Sequence, residues 1–325
     1  MNLSFVLQVL LAGLAAGAVY GLVGIGFGLV YRMSGVLNFA LGDLVSLPVF
    51  VFLFALGGGG AVAVAGASPP AVAVAAVAAA LVTVAAALAL LRFGVAPFLA
   101  RRSTLGWIAA TAAGGILIQA LIAVRFTAES YSVPDLIPVS RLGRDGVIDL
   151  PGGGVLELRL VVVLAVALTL AVAFDSWSSR STTGRAMRAA ADAPDAARLC
   201  GISPERLQLV AWGLAGALAV ASGLLIAPSR PVTVALGVII GLKGVAAAVL
   251  GRLGSARGAV VGGLSLGVAE SVLTSVSLPA MSLGALRLPQ LGPAGGAQDV
   301  VALLALVVLL AVVPGRLGGA VEVVD

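Results

Sequence analysis

Histidine is absent from this chain, cysteine occurs once, at Cys200, and lysine occurs once, at Lys243. That inventory excludes histidine proton relays, cysteine or histidine metal centres and an intrachain disulfide. A phosphate-binding loop of the Gly-Lys-Ser/Thr kind needs a hydroxyl residue after its lysine. Gly244 follows Lys243, so the chain bears no standard ATP site of its own. No nucleophile–base pair stands out that would support a membrane-embedded enzyme. What remains is a handful of polar groups inside apolar runs: Asn38, Asp43, Lys243, Glu270 and Asp299. Such groups are expensive in lipid, so they pair, face protein or line a path. Counted from the cytoplasmic ends of their runs, Glu270 lies about 12 residues in and Lys243 about 8, so at about 1.5 Å per residue their depths differ by only about 6 Å. Two readings follow, a buried Lys243–Glu270 pair or two polar groups that face separate partners.

The elements that hold these groups are membrane spans. Hydrophobic residues make up 61% of the 325 residues and charged residues 10%, with a mean hydropathy of +1.17, whereas a soluble domain carries roughly a quarter charged residues. Apolar runs of bilayer-crossing length, roughly 20 residues, recur throughout. The expected fold is all-α: one polytopic membrane helical bundle over residues 1–325, with about nine spans. They are placed at residues 5–30, 44–56, 71–91, 104–124, 158–174, 207–227, 232–250, 258–276 and 300–313. The N-terminal run is long and lacks a basic leader, so it reads as a retained span. In the first span Gly13, Gly17 and Gly21 recur every fourth residue, a spacing that suits close helix packing in lipid. The loop at about 125–157 contains a segment that alternates as a small β-hairpin does.

Orientation comes from the arginines. One set of alternate loops holds Arg32, Arg92, Arg101, Arg102, Arg180, Arg185, Arg188, Arg198, Arg206, Arg252, Arg257 and Arg316. The other holds Arg125, Arg141, Arg144, Arg159, Arg230 and Arg287. The richer set belongs in the cytoplasm, which places the N-terminus outside and the C-terminus inside. A re-entrant segment at 232–250 would invert everything after it. The basic excess, net +5, thus belongs to the lipid bilayer and not to nucleic acid.

The longest polar interruption that looks ordered is residues 184–206, within a cytoplasmic loop at about 178–206. A short helix is expected inside it. Asp192 reads as its cap, Pro194 suits a first turn and Asp195 favours the positive end of the dipole. Arg198 sits near the other end, and Gly201 supplies the stop. A helix this short is marginal in water and needs a dock.

Three stretches in order carry a family resemblance. GLVGIGFGLVYRMSGVLNFALGD (21–43), TGRAMRAAADAPDAARLCGIS (183–203) and GLKGVAAAVLGRLGSARGAVVGGLSLGVAES (241–271) resemble signatures of the branched-chain amino acid ABC transporter permeases, LivH-like branch; VVPGRLGG (312–319) resembles the usual ending. Leu41 stands where that family usually has His, and Asp43 where Glu is common. The resemblance implies a permease in a bacterial or archaeal plasma membrane that works with a second permease, two ATPase subunits and an extracytoplasmic binding protein. No cofactor is implied for this chain, because ATP would be hydrolysed by the partners. It also implies that Arg185, Arg188, Pro194, Asp195, Arg198 and Gly201 form the ATPase coupling element. Asn38, Phe39, Gly42 and Asp43 would then lie near the translocation path; Lys243 and Glu270, as polar groups within apolar runs, are candidates for the same path on their own account. The expected cargo is branched-chain or other small amino acids; urea or short amides, and an ion-coupled carrier acting alone, are the alternatives.

Overall fold

The computed structural model describes residues 3–57, 68–100, 104–127, 130–133, 146–150, 154–275, 282–283 and 286–287. The expected span at 300–313, the 312–319 ending, Asp299 and most of the 125–157 loop lie outside the described residues. Within them the chain is a helical bundle. Six helices are long and apolar enough to cross a membrane, and two further apolar helices are shorter.

The long helix α1 (Leu3–Ser34) runs through the middle. Around it stand α2 (Leu41–Ala55), α3 (Pro69–Ala89), α5 (Thr104–Arg125), α6 (Leu158–Arg180), α9 (Pro204–Ile226), α10 (Leu236–Leu250) and α11 (Ala256–Ser275). Helix α3 continues through a π-helical turn at Leu90–Val95 into the short α4 (Ala96–Ala100). Two helices outside the apolar runs, α7 (Thr182–Asp192) and α8 (Pro194–Leu199), lie at one end. At the other end β1 (Val147–Leu150) and β2 (Gly154–Glu157) form the expected antiparallel hairpin, with Val147 opposite Glu157.

The seam between α1 and α11 is the most extensive in the bundle. Lipid tails give no hydrophobic reward for helix association, so close approach must come from small residues. A Cβ on Gly17 would lie 2.5 Å from the Gly263 carbonyl oxygen, and one on Gly13 would lie 2.8 Å from that of Gly267. The fourfold glycine spacing therefore serves packing, and it brings two backbones into direct contact.

Helices α2 and α10 each have 15 residues, about 22 Å at about 1.5 Å per residue and short of a roughly 30 Å hydrocarbon core. Each is preceded by non-helical chain, residues 35–40 and 230–235. Each also begins on the same tripeptide, Ala40-Leu41-Gly42 and Ala235-Leu236-Gly237. The backbone repeats too: φ −77°, ψ −5° at Ala40 and φ −76°, ψ −7° at Ala235. The two first turns touch, and a Cβ on either Gly42 or Gly237 would lie 2.5 Å from the other's carbonyl oxygen. Segment 232–250 runs from the hairpin end of the bundle toward the other. Val232 exchanges backbone hydrogen bonds with Tyr131 near the hairpin end, whereas the turn after α10 places Gly254 against Gly28 near the far end of α1.

Because the α1–α11 seam has no room for a side chain, Gly263→Val is expected to overpack it at a cost of at least about 1–3 kcal/mol. The control is Val261→Leu, at a residue 66% exposed. Thermal unfolding in detergent should show a clear loss of stability for the first and none for the second.

Candidate functional site

Three polar clusters emerge from the bundle. In the first, Lys243 Nζ donates to Glu270 Oε1 at 2.7 Å. Lys243 is 1% exposed and Glu270 6%, and the ammonium also lies 3.5 Å from the Tyr20 hydroxyl and 5.3 Å from the centre of that ring. Of the two readings of these residues, the structure has the pair. Desolvating two charges is costly, and only close geometry compensates for it. The second carboxylate oxygen, Glu270 Oε2, is buried without a hydrogen-bond partner.

The second cluster surrounds the start of α2. Asp43 Oδ1 accepts from Gln119 Nε2 at 2.8 Å, which ties α2 to α5, and Gly115 leaves room for the other carboxylate oxygen. Asn38 is fully buried; its Oδ1 accepts from the Ala40 backbone N–H at 3.1 Å, while its Nδ2 has no partner. Phe39 points outward at 55% exposure, and Gly42 is the contact glycine of the α2–α10 crossing. Asn38, Gly42 and Asp43 thus stand together, and Gly42 links them to α10.

The third cluster is α7 and α8. Ser181 caps α7 by accepting from the Gly184 N–H at 2.9 Å. The expected capping role of Asp192 is not observed: Asp192 is the last residue of α7, and its carboxylate pairs with Arg32 at 3.7 Å. Ala193 occupies the cap position of α8 and Pro194 its first turn. Gly201, at φ +78°, ends α8 in the left-handed region, as expected, and the Ile202 N–H reaches back to the Ala197 carbonyl. Arg198 bonds Asp195 at 2.9 Å and Glu205 at 3.0 Å. The Glu205 carboxylate, followed by Asp195, raises the pKa of the Arg198 guanidinium above its ordinary value.

The candidate coupling residues divide in two. Arg188 turns inward and donates to the Ser178 carbonyl at 2.6 Å and the Ser179 carbonyl at 3.3 Å, which fixes α7 to the end of α6. Arg185, Pro194, Asp195 and Arg198 face outward. Sequence reasoning missed Leu199, which is 91% exposed. Its signal was available: a leucine two residues before the stop glycine, in a stretch otherwise polar or small. Ala197 is buried in one apolar cluster with Met33, Met187 and Leu207, so α8 is seated on the bundle and presents its other side.

Comparison with known proteins follows the same outline. A family model described as "Branched-chain amino acid transport system / permease component" matches residues 5–314. The high-affinity branched-chain amino acid transport system permease protein BraD of Pseudomonas aeruginosa is 29% identical over 266 residues, covering 82% of this chain and 85% of that protein. The corresponding permease protein LivH is 26% identical over 269 residues in both Salmonella typhimurium and Escherichia coli K12, covering 82% and 86%.

Breaking the buried pair from one side leaves an uncompensated charge, so Lys243→Met or Glu270→Gln alone should cost about 3–5 kcal/mol, whereas Lys243→Met with Glu270→Met should lose far less. Thermal stability and yield of the purified variants distinguish the patterns; equal damage in all three would deny the pairing.

Proposed function

The chain belongs to the branched-chain amino acid transport system permease family, and from that premise we propose that it is the membrane-spanning permease subunit of an ATP-driven importer. The cargo is branched-chain or other small amino acids, delivered by an extracytoplasmic binding protein. A second permease subunit, a paralogue or another copy, completes the translocation unit, and two ATPase subunits supply the energy. The arginine asymmetry supports an N-terminus outside the plasma membrane of a bacterium or archaeon and a C-terminus in the cytoplasm. On that orientation the α7–α8 end is cytoplasmic and the hairpin end faces the binding protein.

One observation carries the ATP-coupling reading, and it is α8. A six-residue helix has no stability of its own in water, and this one is held by its buried Ala197 while Leu199 stands 91% exposed among charged neighbours. A bare leucine outside the apolar spans, on the same short helix as Asp195 and Arg198, has the makings of a knob for a groove on another protein. The ion-coupled alternative lacks a comparable feature. Asp43 Oδ1 is engaged by Gln119 and Glu270 Oε1 by Lys243, so each carboxylate already has a fixed partner in the bundle.

Replacing Leu199 with Asp, or Asp195 and Arg198 together with Ala, should reduce co-purification of the ATPase subunits at least about tenfold if the knob contributes about 1.4 kcal/mol or more. Folding of the isolated chain should be unchanged, because these side chains are exposed. Undiminished ATPase association in both variants would remove α8 as the coupling element.

A further inference from the structure

We infer that the bundle holds a binding cavity for one zwitterionic aliphatic amino acid, with Glu270 Oε2 receiving the ammonium group and Arg230 the carboxylate. The inference rests on the transport reading above and gives its cargo a place. A cavity of about 180 Å³ opens between α1, α6, α11 and the chain that follows α9. Its wall includes Ala12 and Ala16 of α1, Val163 of α6, Ile226 of α9, and the two charged residues.

The charges define the ligand. Glu270 Oε1 is committed to Lys243 at 2.7 Å, but Oε2 is buried and has no hydrogen-bond partner. A buried carboxylate oxygen left unpaired is costly and calls for a donor. Arg230 lines the same cavity, yet among the described residues no ion pair joins it to Glu270. The Arg230 guanidinium thus stands on the same small cavity as a carboxylate oxygen that Lys243 leaves unused. A lone cation would meet Arg230, and a lone anion would leave Oε2 without a donor. A molecule that bears both charges one carbon apart satisfies both. Arg159 steadies this arrangement by donating to the Pro228 carbonyl at 2.6 Å, two residues before Arg230.

Size and polarity agree. A cavity of about 150 Å³ accommodates a six-carbon ring, so 180 Å³ suits the somewhat larger valine or leucine. The two alanines leave space, and Val163 and Ile226 offer methyl groups to a branched side chain. The cavity lies at the hairpin end of the bundle, the end that the arginine distribution assigns to the delivering side.

The test uses membrane vesicles that contain the assembled transporter, with Cys200→Ser removing the native thiol. Ala16→Cys, and separately Ala12→Cys, place a thiol on the cavity wall for a small neutral maleimide. With leucine at about ten times its Kd, mass action leaves about a tenth of the cavities open, so labelling should slow about tenfold. Leucinamide, which lacks the carboxylate, and 4-methylpentanoate, which lacks the amine, should give little protection. Arg230→Gln should abolish protection by leucine while the unprotected rate stays the same. Unchanged labelling with leucine, in vesicles whose wild-type counterparts accumulate leucine, overturns the cavity and leaves the transport reading standing. Protection by leucinamide equal to that by leucine overturns the zwitterion assignment. Protection by leucine alone, in vesicles whose wild-type counterparts accumulate no aliphatic amino acid, supports the cavity and removes the transport reading.

Discussion

Backbone meets backbone where α1 crosses α11, and most of what is distinctive in this bundle follows from that contact. In lipid there is no solvent for helices to escape, so association rests on dispersion and polar contacts at short range. Gly13 and Gly17 on one helix and Gly263 and Gly267 on the other remove the side chains that would hold the helices apart. The seam fixes the depth of two nearby residues, Tyr20 on α1 and Glu270 on α11. Lys243 then reaches both from α10. A carboxylate and an ammonium buried at that depth would be prohibitive singly; together they add a polar clamp to a packing contact.

A second contact of the same kind joins α2 to α10. Both helices begin after non-helical chain, and their first turns cross at Gly42 and Gly237. Non-helical backbone at membrane depth is tolerated only where protein surrounds it or water reaches it; here Val36, Asn38, Ala40 and Val232 are all buried. The breaks concentrate polarity in the interior, with Asn38 and Asp43 beside one and Arg230 beside the other. A transport protein needs such polarity to pass a charged solute through an apolar medium. The far end of the bundle, at α7 and α8, is more conventional. There α7 is capped by Ser181 and pinned by Arg188, and α8 rests on a small apolar cluster.

Much of this was legible in the sequence for simple reasons. A span declares itself by length and apolarity, so eight expected spans coincide with described helices to within a few residues at most ends. The fourfold glycine spacing pointed to the seam, and counting residues along two runs was enough to suggest the Lys243–Glu270 pair. Other features needed tertiary information. Apolarity ends the fifth span at Phe174, whereas α6 continues to Arg180 because its last turns are held by α7. Helix α7 looks like part of a loop in the sequence, since its stability depends on Ser181 and on the bundle beneath it. Asp192 looks like a cap but ends α7, because a capping residue and a helix-ending residue of one type look alike when two helices abut. The crossing at Gly42 and Gly237 was foreshadowed by the repeated Ala-Leu-Gly. The placing of Arg230 and Glu270 on one cavity was not, because four separate elements build that cavity.

The central claim is that this bundle carries amino acids only when another chain's ATP hydrolysis drives it through α8. It is tested most directly by reconstituting the chain with its partner permease and ATPase subunits in liposomes and measuring ATP hydrolysis as a leucine-loaded extracytoplasmic binding protein is added. The account expects hydrolysis to rise with the loaded protein, and labelled leucine to accumulate in step with it. Leucine accumulation that proceeds without ATP, or hydrolysis indifferent to the loaded protein, would contradict it.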